Sequence, residues 1–177
     1  DIDASSTTNI NSSAGFSPIG NTAVKFTGYY DGGGHVIKNL YINRSSQDTI
    51  GFFGYVSGSA VLKNIRLVGV NFTAGNYSGT LAAFFDGDSI VNCSTTGAIV
   101  CSTKQYIGGF VSAMISGDII TSNSECNVTG YQIAGGFVAA NTGIITNCYA
   151  KGNVGWGVYT AGFVSVNQGT VTNCYST

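Results

Sequence analysis

Gly136-Phe137-Val138-Ala139-Ala140-Asn141-Thr142-Gly143-Ile144-Ile145-Thr146-Asn147-Cys148-Tyr149 is the stretch from which the rest of the 177-residue chain can be read. Its markers Gly136-Phe137 and Asn147-Cys148 return 26 residues later as Gly162-Phe163 and Asn173-Cys174. Working backward, Asn followed by an apolar residue or Cys recurs at Asn39-Leu40, Asn64-Ile65 and Asn92-Cys93, with a weaker copy at Asn123-Ser124. Gly51-Phe52, Thr80-Leu81, Gly109-Phe110, Gly136-Phe137 and Gly162-Phe163 are spaced 29, 29, 27 and 26 residues. Two markers that share a period of about 27 residues identify an internal repeat.

The residues around each Asn say what the repeat does. Apolar residues stand two before, one after and three after it, as in Ile37, Leu40 and Ile42, or Leu62, Ile65 and Leu67. A straight strand alternates with period two, so a gap of three across the Asn is a corner in the backbone. Asn tolerates the left-handed conformation of a tight corner, and its amide can bond the same amide one coil away. Asn39, Asn64, Asn92, Asn147 and Asn173 are therefore expected to form a ladder. Phe52, Leu81, Phe110, Phe137 and Phe163 are expected to form one inward column. A repeat this short cannot bury its apolar face alone and must stack on its neighbours. The expected fold is all-β, a parallel β-helix (β-solenoid), right-handed, of about six coils. It fills residues 1–177 as a single domain, with a lead-in segment 1–38 before the repeats of 39–177. A β-propeller would need longer blades of about 40 residues.

Composition narrows the function. Hydrophobic residues are 44% and charged residues only 8%, with a net charge of −1. Ordinary chains are about 25% charged, so neutral polar residues must wet this surface. There are 19 Ser, 18 Thr and 16 Asn. Seven scattered Lys and Arg make no basic stripe, which argues against nucleic acid and against a polybasic membrane patch. No apolar run approaches the roughly 18 residues of a spanning helix, so membrane insertion is not expected.

At this point a family resemblance enters. Gly135 to Gly152, with Phe137, Asn141, Gly143, Asn147, Cys148 and Tyr149, resembles the GLUG repeat of bacterial and archaeal surface proteins. Phe16-Ser17-Pro18-Ile19-Gly20 and Phe26-Thr27-Gly28-Tyr29-Tyr30-Asp31-Gly32-Gly33-Gly34-His35-Val36-Ile37 resemble the segment that leads such arrays. Phe stands where Leu is usual, and Ala139 where Gly is expected. The resemblance implies a parallel β-helix in large secreted, repetitive, often adhesin-like proteins. It carries over no catalytic residues.

The candidate chemistry is sparse. His35 is the only histidine and lacks converging partners, which suits a turn better than acid–base or metal work. Asp86-Gly87-Asp88 is the one close acidic pair within the repeats, with Asp118, Glu125 and Asp48 single among neutral residues and Lys104 the nearest base. Ca²⁺ binding or polysaccharide cleavage would need more acids on neighbouring coils. Among five cysteines, Cys93, Cys148 and Cys174 occupy the inward slot after the Asn, as small buried hydrophobes. A Cys148–Cys174 disulfide is geometrically conceivable at strand spacing. No C-x-x-C supports zinc, and no cofactor is expected. Six N-glycosylation sequons are present. Asn11, Asn43, Asn71, Asn76 and Asn127 are candidate acceptors, whereas Asn92 belongs to the ladder.

Both ends read as uncapped coils. A last coil that pairs with the first coil of another copy gives a non-closing, head-to-tail assembly. The expectation is a non-catalytic structural subunit of an extracellular filament or cell-surface stalk, a homopolymer that meets glycans or the cell surface. The alternative is an adhesin or carbohydrate-binding segment of a larger secreted repeat protein, presenting Tyr29, Tyr30, Tyr77, Trp156 and Tyr159 to sugar rings. An ice-binding surface would need a denser array than Thr121, Thr146 and Thr172 provide.

Overall fold

A computed structural model describes residues 1–101 and 106–177. The chain coils through four sheets, and all the strand pairs within them are parallel. Sheet 1 stacks Tyr29–Asp31, Val61–Lys63, Ser89–Val91, Asp118–Ile120, Ile144–Thr146 and Thr170–Thr172. Sheet 2 contains the long strands Arg66–Ala74, Ser94–Cys101 and Asn123–Thr129. They are flanked by Val36–Lys38 and Tyr41–Arg44 on one side and by Tyr149–Ala150 and Val154–Gly155 on the other. Sheet 3 stacks Ser78–Gly79, Tyr106–Gly108, Ile133–Gly135 and Tyr159–Ala161. Sheet 4 stacks Phe53–Ser57, Ala82–Asp86, Val111–Met114, Val138–Asn141 and Val164–Asn167. Six strands in sheet 1 bound about five turns of about 28 residues, one turn fewer than the repeat arithmetic suggested. The segment 1–38 holds a 3₁₀ turn at Ser5–Asn9 and places strands in sheets 1 and 2.

The interior follows from the period-two alternation between corners. Phe53, Val56, Leu62, Leu67, Phe72, Phe85, Ile90, Ile99, Val111, Ile119, Val138 and Ile145 are all buried. Along the corner between sheets 3 and 4, Phe52, Leu81, Phe110, Phe137 and Phe163 lie one above another. Phe53 bonds Leu81 O, Leu81 bonds Phe110 O, Phe110 bonds Phe137 O and Phe137 bonds Phe163 O. The rings of Phe110 and Phe137 stack at 4.7 Å and 10°, those of Phe137 and Phe163 at 5.0 Å and 6°.

At the corner from sheet 1 to sheet 2, Asn64, Asn92, Thr121, Asn147 and Asn173 all take φ between 50° and 56°. Their own N–H groups keep the ladder running, as Asn92 N–H to Ile120 O at 3.1 Å and Asn147 N–H to Thr172 O at 3.1 Å. The next residue turns inward, and its N–H is caught by a side chain from the coil above. Ile65 N–H meets Cys93 Sγ at 3.5 Å, and Cys93 N–H meets Ser122 Oγ at 3.1 Å. Ser122 N–H meets Cys148 Sγ at 3.4 Å, and Cys148 N–H meets Cys174 Sγ at 3.4 Å. Each of these groups also donates to the carbonyl two residues back, as Cys148 to Thr146 O at 3.2 Å and Ser122 to Ile120 O at 2.9 Å.

These thiols are thus hydrogen-bond bridges as well as small hydrophobes. Cys148→Ser should leave stability within about 1 kcal/mol of the parent, because Ser122 already does the same work. Cys148→Val should cost about 1–3 kcal/mol, by leaving the Ser122 N–H buried without an acceptor. Urea melts of the two variants check this, and equal midpoints would contradict it.

Candidate functional site

Two of the expected ladder residues are bonded side chain to side chain at one corner. Asn92 Nδ2 donates to Asn64 Oδ1 at 2.8 Å, and Asn64 Nδ2 donates to Asp31 Oδ1 at 2.9 Å. Asn147 and Asn173 share a register, since Thr146 pairs with Thr172, but Thr121 separates them from Asn92. Asn39 is a correction. Val36–Lys38 pairs with Arg66–Val68, so Asn39 stands opposite Gly69, at a second bend inside sheet 2, and its Nδ2 donates to Asp3 Oδ1 at 3.2 Å. Both bends need a left-handed residue, which is why Asn39 carries the same local pattern.

The amide run ends on a carboxylate. Asp31 accepts from Asn64 and from Gly33 N–H at 2.9 Å, and Lys63 Nζ lies 3.3 Å away. The Asn64 amide first, and the Gly33 N–H next, hold the Asp31 carboxyl down at about 2. The carboxylate is favoured in the folded chain, so its contribution is complete above the ordinary 3.8 and is lost as pH falls through about 2. Asn64→Ala should raise the Asp31 midpoint toward 3.8, read by the carboxyl carbon shift in an NMR titration. An unmoved midpoint would contradict the amide's role.

Cys148 and Cys174 are free thiols. The disulfide conceivable from their spacing is not formed, because each sulfur is directed at backbone groups. Burial pushes the Cys93 and Cys148 thiols up to about 12. A thiol held that high is a poor nucleophile.

Asp86 and Asp88 lie one coil from Ser116 and Asp118. Asp86 accepts the Ser116 hydroxyl at 2.8 Å, and Asp118 N–H meets the Asp88 carbonyl at 3.0 Å. Among the described residues, no three His, Cys, Asp or Glu side chains group as metal ligands. Lys104 lies outside the described residues. His35 is exposed, 3.9 Å from the Asp1 carboxylate. Of the aromatics read as sugar platforms, Tyr29, Trp156 and Tyr159 are exposed. Tyr30 packs on Phe52 and Phe53, and Tyr77 stacks on Tyr106 at 5.4 Å. Tyr77 and Tyr159 share one column of sheet 3, with Tyr106 and Ile133 between them, whereas Tyr29 stands on sheet 1.

A groove of about 420 Å³ opens instead on the outer face of sheet 2, beside the Asn corner. The register shows how it arises. Arg66, Ser94, Asn123 and Tyr149 form one outward column, and Thr96 and Glu125 are neighbours in the next. Ser94 and Thr96 are small, so the strand Ser94–Cys101 makes a floor between Arg66 and the larger Asn123, Glu125 and Tyr149. Asn64 and Asn92 form the lateral edge. Tyr149 donates to Glu125 Oε1 at 3.1 Å, and Lys151 Nζ lies 4.0 Å from the same oxygen. Burial and the Glu125 carboxylate push the Tyr149 phenol up. Thr96 Oγ1 accepts the Gly69 N–H at 3.0 Å. The lining offers amides, hydroxyls, a phenol and one charge of each sign, and its one thiol, Cys93, is too basic for covalent work. Single-strand patterns could not show the groove, because it comes from side-chain sizes compared across coils.

Residues 130–155 match the family model of the GLUG motif. Over 129 residues, 70% of the chain, the sequence is 37% identical to Halomucin of Haloquadratum walsbyi, of which this span is 1%. Over 55 residues, 31% of the chain, it is 36% identical to a Gly-rich membrane protein of Evansella cellulosilytica, of which this span is 6%. The chain therefore spans a few hundredths of the length of these relatives. No solved structure matches it.

Proposed function

We infer that this GLUG-motif β-solenoid, homologous over most of its length to Halomucin, is a non-catalytic segment of a larger extracellular repeat protein that contacts carbohydrate. The observation that carries the reading is the sheet 2 groove. Its interleaved neutral donors and acceptors suit a ligand made of hydroxyls and ring ethers, with Tyr149 as the one aromatic contact. Side chains held by a stacked backbone need little reordering on binding, which favours recognition by a rigid surface. The low charge leaves no long-range field to select ions over neutral sugars.

Calorimetry with a panel of neutral oligosaccharides tests this, using the chain and Ser94→Trp, which places an indole on the groove floor. Binding by the parent and at least a tenfold loss in the variant is the expected result, equivalent to about 1.4 kcal/mol. Absence of binding to every sugar, or binding indifferent to Ser94→Trp, would remove the reading. Mass measured in the same samples separates it from head-to-tail stacking. A sugar-binding segment stays at 18.2 kDa, whereas a stacking unit grows with concentration.

A further inference from the structure

The sequons Asn43-Arg44-Ser45, Asn71-Phe72-Thr73 and Asn127-Val128-Thr129 converge on one part of the molecule. Each Asn is exposed and lies on a strand of sheet 2 beyond its internal bend. For Asn71 and Asn127 strand alternation places the hydroxyl two residues on, Thr73 and Thr129, along the same outer face, while Ser45 follows Asn43 in the turn just past its strand. Asn71 and Asn127 both pair with Ala98, so they share a column, two strand spacings or about 9.6 Å apart, with only a methyl between them. Asn43 pairs with Thr73 in the adjacent column. Among the described residues, no hydrogen bond engages the side-chain nitrogen of these three, and Asn127 uses only its Oδ1, accepting Asn153 N–H at 3.0 Å.

The other three sequons are consumed by the fold. Asn92 Nδ2 is bonded to Asn64 Oδ1. Asn11 Nδ2 donates to Gly15 O at 2.8 Å and to Ser17 Oγ at 3.3 Å. The hydroxyl that completes the Asn76 sequon belongs to Ser78, which is fully buried and donates to Gly75 O at 3.0 Å.

We propose that Asn43, Asn71 and Asn127 form an N-glycan-bearing face of sheet 2, while Asn11, Asn76 and Asn92 stay unmodified. The donor is a lipid-linked oligosaccharide phosphate, used by a membrane transferase. At each site the Nδ2–C1 bond forms, the C1–O bond to phosphate breaks, Nδ2 gives up one proton and the lipid phosphate departs. Glycans on this face would sheathe the outer columns of sheet 2 beyond its bend without touching a ladder or core contact. The proposal needs export of the chain but not the groove, so the two readings fail separately.

The test is secretion of the chain, with one added control sequon on a flexible tail, from a host that has an Asn-X-Ser/Thr transferase. Glycopeptide mass spectrometry then reads each site. The expected result is modification of the control, Asn43, Asn71 and Asn127, and loss of one glycan mass for each of Asn43→Gln, Asn71→Gln and Asn127→Gln. A modified control beside three bare acceptors, or glycan on Asn92, would overturn the proposal. The Asn43→Gln/Asn71→Gln double variant made without glycans should keep the parent melting midpoint, since neither side chain makes a hydrogen bond among the described residues. A fall would show that these side chains serve the fold, and would overturn it too.

Discussion

Phe137→Ala is expected to cost about 3–5 kcal/mol, the range for removing a fully buried aromatic ring, and so to take a large share of the roughly 5–15 kcal/mol that holds a domain. Phe137 has no exposed surface and stacks on Phe110 at 4.7 Å and on Phe163 at 5.0 Å. The truncated site cannot close around the gap. Phe110 N–H bonds Phe137 O at 2.9 Å and Phe137 N–H bonds Phe163 O at 2.9 Å, so the coil spacing is set by the backbone ladder rather than by the side chains. The lost transfer energy and the unfilled cavity therefore add. Because a solenoid is held by nearest-neighbour interfaces, the damage should be local first. Hydrogen exchange should show protection lost from Val138 onward before it is lost near Phe53. Phe163→Ala, at a half-buried ring with one stacked neighbour, should cost clearly less. A Phe137→Ala loss below about 1 kcal/mol, or equal losses at both sites, would contradict the picture of a continuous inward column.

Much of this fold is legible because every coil repeats one instruction. The phase of the apolar residues flips at Asn64 in the sequence, and there the backbone takes φ of 54° and turns from sheet 1 into sheet 2. The spacings of the Gly-Phe marker match the offsets between sheet 4 strands, from Phe53 to Ala82, Val111, Val138 and Val164. What the period hides is that one coil contains more than one left-handed corner. Asn39 shows the same flip as Asn64, yet the residue at its level is Gly69, and on the next coil the bend falls at Gly97, opposite Val70. The thiol bridges were hidden for another reason. An inward Cys reads as a small hydrophobe, and only the position of Ser122 in the same column exposes the hydrogen-bonding duty. The groove was hidden too, since it depends on Ser94 being smaller than Arg66 and Tyr149 in a column the sequence lays out 28, 29 and 26 residues apart.

Gly135→Val should be among the most damaging single changes in the chain, costing more than about 3 kcal/mol, at the upper end of overpacking effects. Gly79, Gly108 and Gly135 form a column where sheet 3 turns into sheet 4. Their φ angles lie outside the left-handed region, so conformational strain is not the reason for glycine. Contact is. A Cβ on Gly135 would overlap the Val138 carbonyl oxygen, lie 2.6 Å from its carbon and reach 3.1 Å from Phe163 O. Gly108 meets the equivalent carbonyl, that of Val111, in the same way. These are backbone atoms fixed in the ladder, and no rotamer change can move them aside. The corner must open, which separates Gly135 from Val138 and pulls Phe137 out of its column. Gly135→Ala should therefore destabilise as well, to a smaller degree, even though alanine is otherwise the mildest replacement. Ala161 stands at the same level in the last coil and already carries a methyl, so Ala161→Val should be far milder than Gly135→Val. Urea melts and far-ultraviolet circular dichroism of the three variants decide the matter. Near-parental stability for Gly135→Val would mean that this corner is not closed by backbone contact, and the reason for the Gly before Gly109-Phe110 and Gly136-Phe137 would have to be sought elsewhere.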